Sequence, residues 1–117
     1  MPSHVPGTPV RPKCWQAVAE GPARTDPRAQ RIPLCWPYFA TTTDVEGLPP
    51  HAITVNELDP LRDEGIAYFR TLQRAGVRVV GEVNLGLTHA ADMSFRQAVP
   101  DAYKAAVRDI HGFAQSL

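Results

Sequence analysis

The chain has 117 residues, of which 44% are apolar and 21% charged, a length and composition typical of one small soluble domain. Its 12 basic and 12 acidic side chains cancel, so the charge balance gives no reason to expect binding to nucleic acid or to an anionic membrane surface. No apolar run approaches the roughly 20 residues that a membrane-spanning helix requires.

Proline dominates the first part of the chain, where ten of the 12 prolines fall within 50 residues. Proline removes a backbone donor and disfavours helix at the residue before it. Residues 1–31 are therefore predicted to be an irregular, proline-rich segment, with a short helix at residues 15–19 as an alternative, and residues 32–117 to form the folded domain. The N-terminus has no apolar run of the kind found in signal peptides, so the expected location is the cytoplasm.

The two cysteines, Cys14 and Cys35, stand alone. Neither belongs to a Cys-x-x-Cys pair or has a histidine at ligand spacing, so no zinc site is predicted. Two reduced thiols are expected in a cytosolic chain, and a disulfide between them is the alternative.

The second half of the chain shows a regular pattern. Residues 51–56 are a short run rich in β-branched side chains, which predicts a buried strand. A helix is predicted next, beginning near Pro60 and ending before Gly76. A second strand over residues 77–85 and a loop over residues 86–90 follow. The predicted helix has one apolar face at spacings of three and four, formed by Gly65, Tyr68, Phe69, Leu72 and Ala75.

A strand, a helix and a second strand within about 35 residues form a βαβ unit, whose strands are parallel and whose crossover is right-handed. An amphipathic helix that needs a sheet to lie on is predicted at the C-terminus, beginning near Pro100 and Asp101. The predicted fold class is therefore α/β. The apolar face of the last helix comprises Tyr103, Ala106, Val107, Ile110, Phe113, Ala114 and Leu117.

Two side chains suited to acid–base chemistry follow the two predicted strands. Asp59 lies just past the first strand, and His89 lies just past the second, 30 residues later. Because parallel strands lie about 4.8 Å apart and end at the same edge, the carboxylate and the imidazole are expected to meet where open α/β sheets bind ligands. In such a pair the carboxylate orients the imidazole, whose other nitrogen accepts a proton from a nucleophile.

The residues around this pair resemble a known family of enzymes. Residues 48–65, with the run Asn-Glu-Leu-Asp-Pro-Leu-Arg-Asp-Glu-Gly, closely resemble the acid-bearing segment of the hormone-sensitive-lipase family of esterases, and residues 84–89 resemble its histidine loop. The resemblance extends over residues 26–117. It implies the C-terminal βαβ-α portion of an α/β-hydrolase fold, with Asp59 as the triad acid and His89 as the triad base of a carboxylic ester hydrolase. It implies no cofactor and no metal.

The sequence departs from that family in its nucleophile. The family orders its triad as serine, acid and histidine, yet of Ser3, Ser94 and Ser116 only Ser3 precedes Asp59, and none lies in a Gly-x-Ser-x-Gly motif. The glycine-rich oxyanion motif is also missing from the sequence. A fragment with the acid and base, but without the nucleophile and the oxyanion donors, is therefore predicted.

Three hypotheses for the function remain open. In the first hypothesis the chain is a truncated or split esterase, which acts on a small-molecule ester when a second fragment completes it. In the second hypothesis it is a non-catalytic interaction module, whose exposed strand edge pairs with a second copy or with a complementary hydrolase fragment. In the third hypothesis the recorded start is wrong and residues 1–25 are a misread stretch. On each hypothesis a unit of two strands and two helices is expected to be marginally stable unless it associates.

Simpler roles are open for several residues. Asp59 is also suited to cap the helix that follows it. A metal site formed by Asp59, His89 and Glu57 matches no known ligand spacing. Structural roles are expected for Glu57 and for the charged residues of the first helical turn, Arg62, Asp63 and Glu64. Solvated or packing roles are expected for His4, His51 and His111. A loop core is favoured over an acyl or alcohol pocket for Trp36, Tyr38 and Phe39.

Overall fold

The computed structural model describes Pro33 and residues 37–117. The chain divides into two units, Met1–Phe39 and Ala40–Leu117. In the first unit, Pro37–Phe39 form one turn of 3-10 helix, in which the half-exposed rings of Tyr38 and Phe39 meet edge to face. The irregular segment 1–31, the alternative helix at residues 15–19, both cysteines, His4 and Trp36 lie outside the described residues, so those predictions stay predictions.

The second unit begins with a short helix, α1 (Thr42–Val45). Thr41 caps it: the Thr41 side chain accepts a hydrogen bond from the Asp44 backbone N–H at 3.3 Å, and the Asp44 carboxylate accepts one from the Thr41 N–H at 2.8 Å. This reciprocal capping satisfies two of the backbone donors that a helix start leaves unpaired. The helix places Val45, which is buried, in the core.

The predicted βαβ unit follows as β1 (His51–Asn56), α2 (Arg62–Arg74) and β2 (Val79–Asn84). The two strands are parallel and pair from His51 opposite Val79 to Asn56 opposite Asn84. The bounds of β1 agree with the prediction. The second strand is shorter than the predicted range of 77–85. It begins later because Val77 forms a hydrogen bond with the end of α2 instead.

The end of α2 explains where β2 begins. Gly76 adopts a left-handed conformation with φ of +76°, which glycine tolerates without steric cost. Its N–H donates to the carbonyl of Gln73, and the N–H of Val77 donates to the carbonyl of Leu72. This arrangement is a Schellman motif. It turns Val77 into the core, where its side chain is buried.

The core of this unit is small. Leu72 of α2 is fully buried and packs with Val45 and Val77. Small residues let α2 approach the sheet: a Cβ atom on Gly65 would lie 2.5 Å from Val55 Cγ1, and one on Gly81 would lie 2.9 Å from Phe69 Cδ2. The partly buried side chains around the core are Ala40, Ile53, Tyr68, Ala75 and Val79.

The chain ends in α3 (Ala91–Ser94) and α4 (Pro100–Gln115). The predicted C-terminal helix is present, with Pro100 in its first turn, but none of its side chains is fully buried. A cleft of about 340 Å³ lies between α4 and the sheet. The small side chains of Ala105 and Ala106 line this cleft and do not fill it, so the helix is only partly packed on the sheet. Among the residues described, none of the helices has the length and apolar character needed to cross a bilayer.

Candidate active site

Two loops at the carboxyl edge of the sheet carry the predicted pair. The first loop leaves β1 after Asn56 and reaches Asp59, and the second leaves β2 after Asn84 and reaches His89. Backbone hydrogen bonds join the loops: the N–H of Glu57 donates to Asn84 O at 2.8 Å, and the N–H of Leu58 donates to Leu87 O at 2.9 Å. The two loops therefore stay hydrogen-bonded to each other beyond the ends of the strands.

The two side chains meet as the strand geometry predicts. His89 Nδ1 lies 2.7 Å from Asp59 Oδ2, within hydrogen-bond distance. The Asp59 side chain is only 10% exposed, whereas the His89 side chain is 63% exposed. The carboxylate therefore lies beneath the imidazole, which faces outward. With a proton on Nδ1 shared with Asp59, Nε2 is the nitrogen available to accept a proton from a nucleophile.

The second oxygen of Asp59 has a separate role. Asp59 Oδ1 accepts a hydrogen bond from the N–H of Leu61 at 2.8 Å, at the residue before α2 begins. The predicted capping role is wrong: Leu61 is the N-cap of α2 and no side chain caps the helix. Asp59 instead holds the turn that leads into the helix, and it also contacts the histidine. The pKa of Asp59 is lowered chiefly by this hydrogen bond from Leu61. Partial burial raises the pKa, and the hydrogen bond and charge of His89 lower it further. Asp59 is accordingly a carboxylate near neutral pH.

A buried polar network beneath the loops was missed by the sequence interpretation. Asn56 is 4% exposed, and its Nδ2 donates to Thr88 O at 2.7 Å and to Asp92 Oδ1 at 2.9 Å. Its Oδ1 accepts a hydrogen bond from Asn84 Nδ2 at 2.9 Å. The asparagine at the end of each predicted strand was a usable signal. Nothing in the local sequence marks Asp92, which comes from the following short helix.

Three charged residues near Asp59, namely Glu57, Arg62 and Asp63, form local hydrogen bonds and an ion pair. Glu57 Oε2 accepts a hydrogen bond from the N–H of Gly86 at 2.6 Å, which fastens the second loop to the first. Arg62 Nη1 donates to the carbonyl of Glu57 at 2.9 Å, and Arg62 also pairs with Asp63 at 2.9 Å. Across the described part of the chain, no group of three or more His, Cys, Asp or Glu side chains is arranged to hold a metal ion.

The remaining histidines and serines of the described residues form no hydrogen bond with this pair. The ring of His51 packs edge-on against Tyr68, and His111 is exposed. Ser116 Oγ donates to the carbonyl of Phe113, and Ser94 lies in α3. Within residues 37–117, therefore, neither serine side chain forms a hydrogen bond with His89.

The cleft between the sheet and α4 opens next to the pair. Asp59 and His89 contribute to its lining, together with apolar side chains such as Val80, Ile110 and Phe113. Its volume of about 340 Å³ falls within the range of small-molecule pockets, roughly 300–1,000 Å³. The arrangement is that of an oriented base beside a partly apolar space.

Comparison with known proteins identifies the family. A sequence model described as the alpha/beta hydrolase fold matches residues 7–93, which include both Asp59 and His89. This chain belongs to the α/β-hydrolase family. The match begins at residue 7, so the similarity reaches further towards the N-terminus than residue 26, where the motifs placed its start.

Solved structures of esterases match the same region. Brefeldin A esterase, a bacterial homologue of human hormone-sensitive lipase, is 54% identical with a TM-score of 0.71, over 76% of this chain and 25% of the esterase. Esterase Est22 is 43% identical with a TM-score of 0.72, over 77% of this chain and 27% of that structure. These similarities confirm the predicted hormone-sensitive-lipase family and the α/β-hydrolase fold class.

A curated relative agrees with them. Carboxylesterase NlhH of Mycobacterium tuberculosis is 36% identical over 74 residues, which are 63% of this chain and 23% of the relative. The chain thus spans about a quarter of the length of the relatives that it matches.

Proposed function

We propose that this chain supplies the acid and the base of a serine carboxylesterase triad, while a separate polypeptide segment supplies the nucleophile and the oxyanion donors. The observation that carries the proposal is the 2.7 Å contact between His89 Nδ1 and Asp59 Oδ2. The names of the similar proteins, a carboxylesterase and two esterases, support a carboxylic ester as the substrate class. A cytoplasmic location stays a prediction.

The chemistry assigns a defined step to each side chain. His89 Nε2 accepts the proton of a serine hydroxyl as the serine oxygen attacks the ester carbonyl, and Asp59 stabilises the imidazolium that forms. The imidazolium then donates that proton to the departing alkoxide, which leaves as an alcohol. Water repeats the sequence: His89 takes its proton, the hydroxide attacks the acyl-serine, and the returned proton restores the serine hydroxyl as the acid is released.

The second candidate is an interaction module without catalysis of its own. Among the described residues the sheet has two strands, and no third strand pairs with either outer edge. Several apolar side chains on and after β2 are also exposed, Leu85 most of all at 77%. Such edges and apolar patches favour association with another chain, either a second copy or a complementary hydrolase fragment.

Reconstitution tests the first proposal. The full chain is co-purified with a hydrolase fragment that carries a Gly-x-Ser-x-Gly motif and a glycine-rich oxyanion loop, and hydrolysis of a short-chain p-nitrophenyl ester is measured. We expect hydrolysis by the complex only. Asp59→Asn should reduce turnover by about four orders of magnitude, as loss of a triad carboxylate does elsewhere, because the remaining amide orients the imidazole in the wrong tautomer. His89→Ala should abolish it.

The matched control is His111→Ala, at an exposed histidine in α4, which should leave the rate unchanged. A fluorophosphonate probe should label the serine of the added fragment and not the chain itself. Full hydrolysis by a complex that carries His89→Ala would contradict the proposal, as would hydrolysis by the chain alone with a labelled serine of its own. A complex that forms but hydrolyses nothing would favour the interaction module.

A further inference from the structure

We propose that Asn56 and Asp92 form a positioning clamp that holds the His89 loop so that the imidazole stays on Asp59. The inference rests on the proposed function for its purpose, but its geometry is tested without any catalysis. Neither residue forms a hydrogen bond with the imidazole, so both are positioning residues: Asn56 acts through the backbone of the loop, and Asp92 acts through Asn56.

The clamp grips the loop on both sides of the histidine. Asn56 is the last residue of β1, and one side-chain nitrogen bonds the carbonyl of Thr88, directly before His89, and the carboxylate of Asp92, three residues after it. Asn84, the last residue of β2, donates to Asn56 Oδ1 and fixes the orientation of the amide. The amide of Asn56 is thereby committed on both its nitrogen and its oxygen.

The loop needs such support because little else confines the histidine. The His89 side chain is 63% exposed, and Asp59 is its recorded hydrogen-bond partner within the described residues. The next residue, Ala90, has a φ of +52°, a left-handed conformation that is sterically unfavourable for a residue with a Cβ. Surrounding contacts must hold a backbone in such a conformation, and the two arms of Asn56 lie on either side of it.

Because Asn56 and Asp92 are buried, the effect of a substitution at either position depends on whether the new side chain keeps the hydrogen bonds. Asn56 is 4% and Asp92 is 8% exposed, so water does not readily replace a lost hydrogen-bond partner. Asn56→Leu would leave the Asp92 carboxylate buried without its donor and would release Thr88 O. Asp92→Asn would still present an oxygen to Asn56 Nδ2. The two substitutions therefore separate loss of the clamp from loss of the charge.

The test measures which ring nitrogen of His89 carries the proton. Long-range proton–nitrogen NMR spectra are recorded on the full chain labelled with ¹⁵N-histidine, at a pH where the histidine rings are neutral. Signals are assigned by His89→Ala. In the native chain we expect His89 to be mainly protonated on Nδ1, and Asp92→Asn should preserve that state. Asn56→Leu should lower the Nδ1-protonated fraction of His89 to that of the exposed His111, which is the reference within the same spectrum. His51 should not change.

Two further variants keep the inference falsifiable if Asn56→Leu does not fold. Asn56→Ser removes both contacts with a smaller polar side chain, and Asp92→Leu removes one arm. If a folded variant, checked by circular dichroism and by its thermal midpoint, keeps the native tautomer of His89, the clamp is overturned and the network is only structural. Loss of the Nδ1-protonated tautomer of His89 in these variants would support the clamp. If the reconstituted complex then hydrolysed no ester, that second result would reject the proposed function and leave the clamp standing.

Discussion

Each oxygen of Asp59 has its own partner, and the two contacts support one another. The N–H of Leu61 bonds Oδ1 and the imidazole of His89 lies on Oδ2. The backbone donor both fixes the carboxylate and favours its ionised form, so the negative charge faces the histidine in a single orientation. An asparagine here would keep an oxygen for Leu61 and turn its NH₂ group towards His89, which favours the tautomer with Nε2 protonated.

The lowered pKa of two aspartates predicts how stability depends on pH. Asp59 is affected chiefly by the Leu61 N–H, and Asp44 by the backbone N–H and then the side chain of Thr41. A carboxyl group whose pKa is lower in the folded chain stabilises it above the unfolded pKa of about 3.9, and that contribution is lost as the pH falls through the folded pKa. We therefore expect the free energy of unfolding to decrease below about pH 4.

Urea unfolding at a series of pH values measures this decrease. Asp59→Asn should make the dependence between about pH 4 and pH 2 shallower, because one proton fewer is taken up on unfolding. Asp101→Asn, at an exposed carboxylate in the first turn of α4, is the matched control. An unaltered slope in Asp59→Asn would show that the hydrogen bond from Leu61 does not perturb this group in solution.

At the scale of the elements, close contact between α2 and the strands depends on glycine. A Cβ on Gly65 would lie 2.5 Å from Val55 Cγ1, a distance that requires the helix or the strand to move. We expect Gly65→Ala to lower the free energy of unfolding by about 1–3 kcal/mol, the usual cost of overpacking. Chemical denaturation of the purified chain measures the change.

Gly112 provides the matched control for that substitution. It lies within α4, and a Cβ there would meet nothing within 4 Å. Gly112→Ala should therefore stabilise the chain by about 0.5–1 kcal/mol, because alanine restricts the unfolded backbone and favours helix. If Gly65→Ala also stabilises the chain, then helix propensity rather than close packing determines the response at Gly65.

The sequence predicts the larger elements well because their signals are local. The β-branched run of β1, the apolar spacing of α2 and the left-handed Gly76 each act over a few neighbouring residues. The helices α1 and α3 have four residues each, too few to show a period. The pairing of Asp59 with His89 follows from parallel strands, whereas the contact of Asn56 with Asp92 depends on tertiary placement that no local pattern encodes.

At the scale of the whole molecule, the described residues bury little apolar surface for the amount that they expose. Val45, Leu72 and Val77 form the buried cluster of the second unit, together with the partly buried residues around it. Val80, Val83, Phe95 and Ile110 are each about half exposed. A small core of this kind gives limited stability, and the exposed side chains favour a partner that covers them.

Sedimentation of the isolated chain tests whether the exposed apolar side chains drive association. We expect the average mass to rise with concentration as apolar surfaces associate. Val83→Lys should weaken the association, since a lysine on an exposed strand opposes edge pairing. Gln73→Lys, on the exposed face of α2, adds the same charge elsewhere and should have little effect. A monomer at every concentration would argue against a role for the exposed strand in assembly.

Asp59, His89 and the network of Asn56 and Asp92 all fall in one continuous stretch of the chain, since Asn56 and Asp92 are 36 positions apart. A DNA exchange with both junctions outside that stretch would transmit them together, with their mutual contacts already encoded. The proposed acid and base are thus inherited together, and protein engineers can transplant them as one insert instead of rebuilding them side chain by side chain.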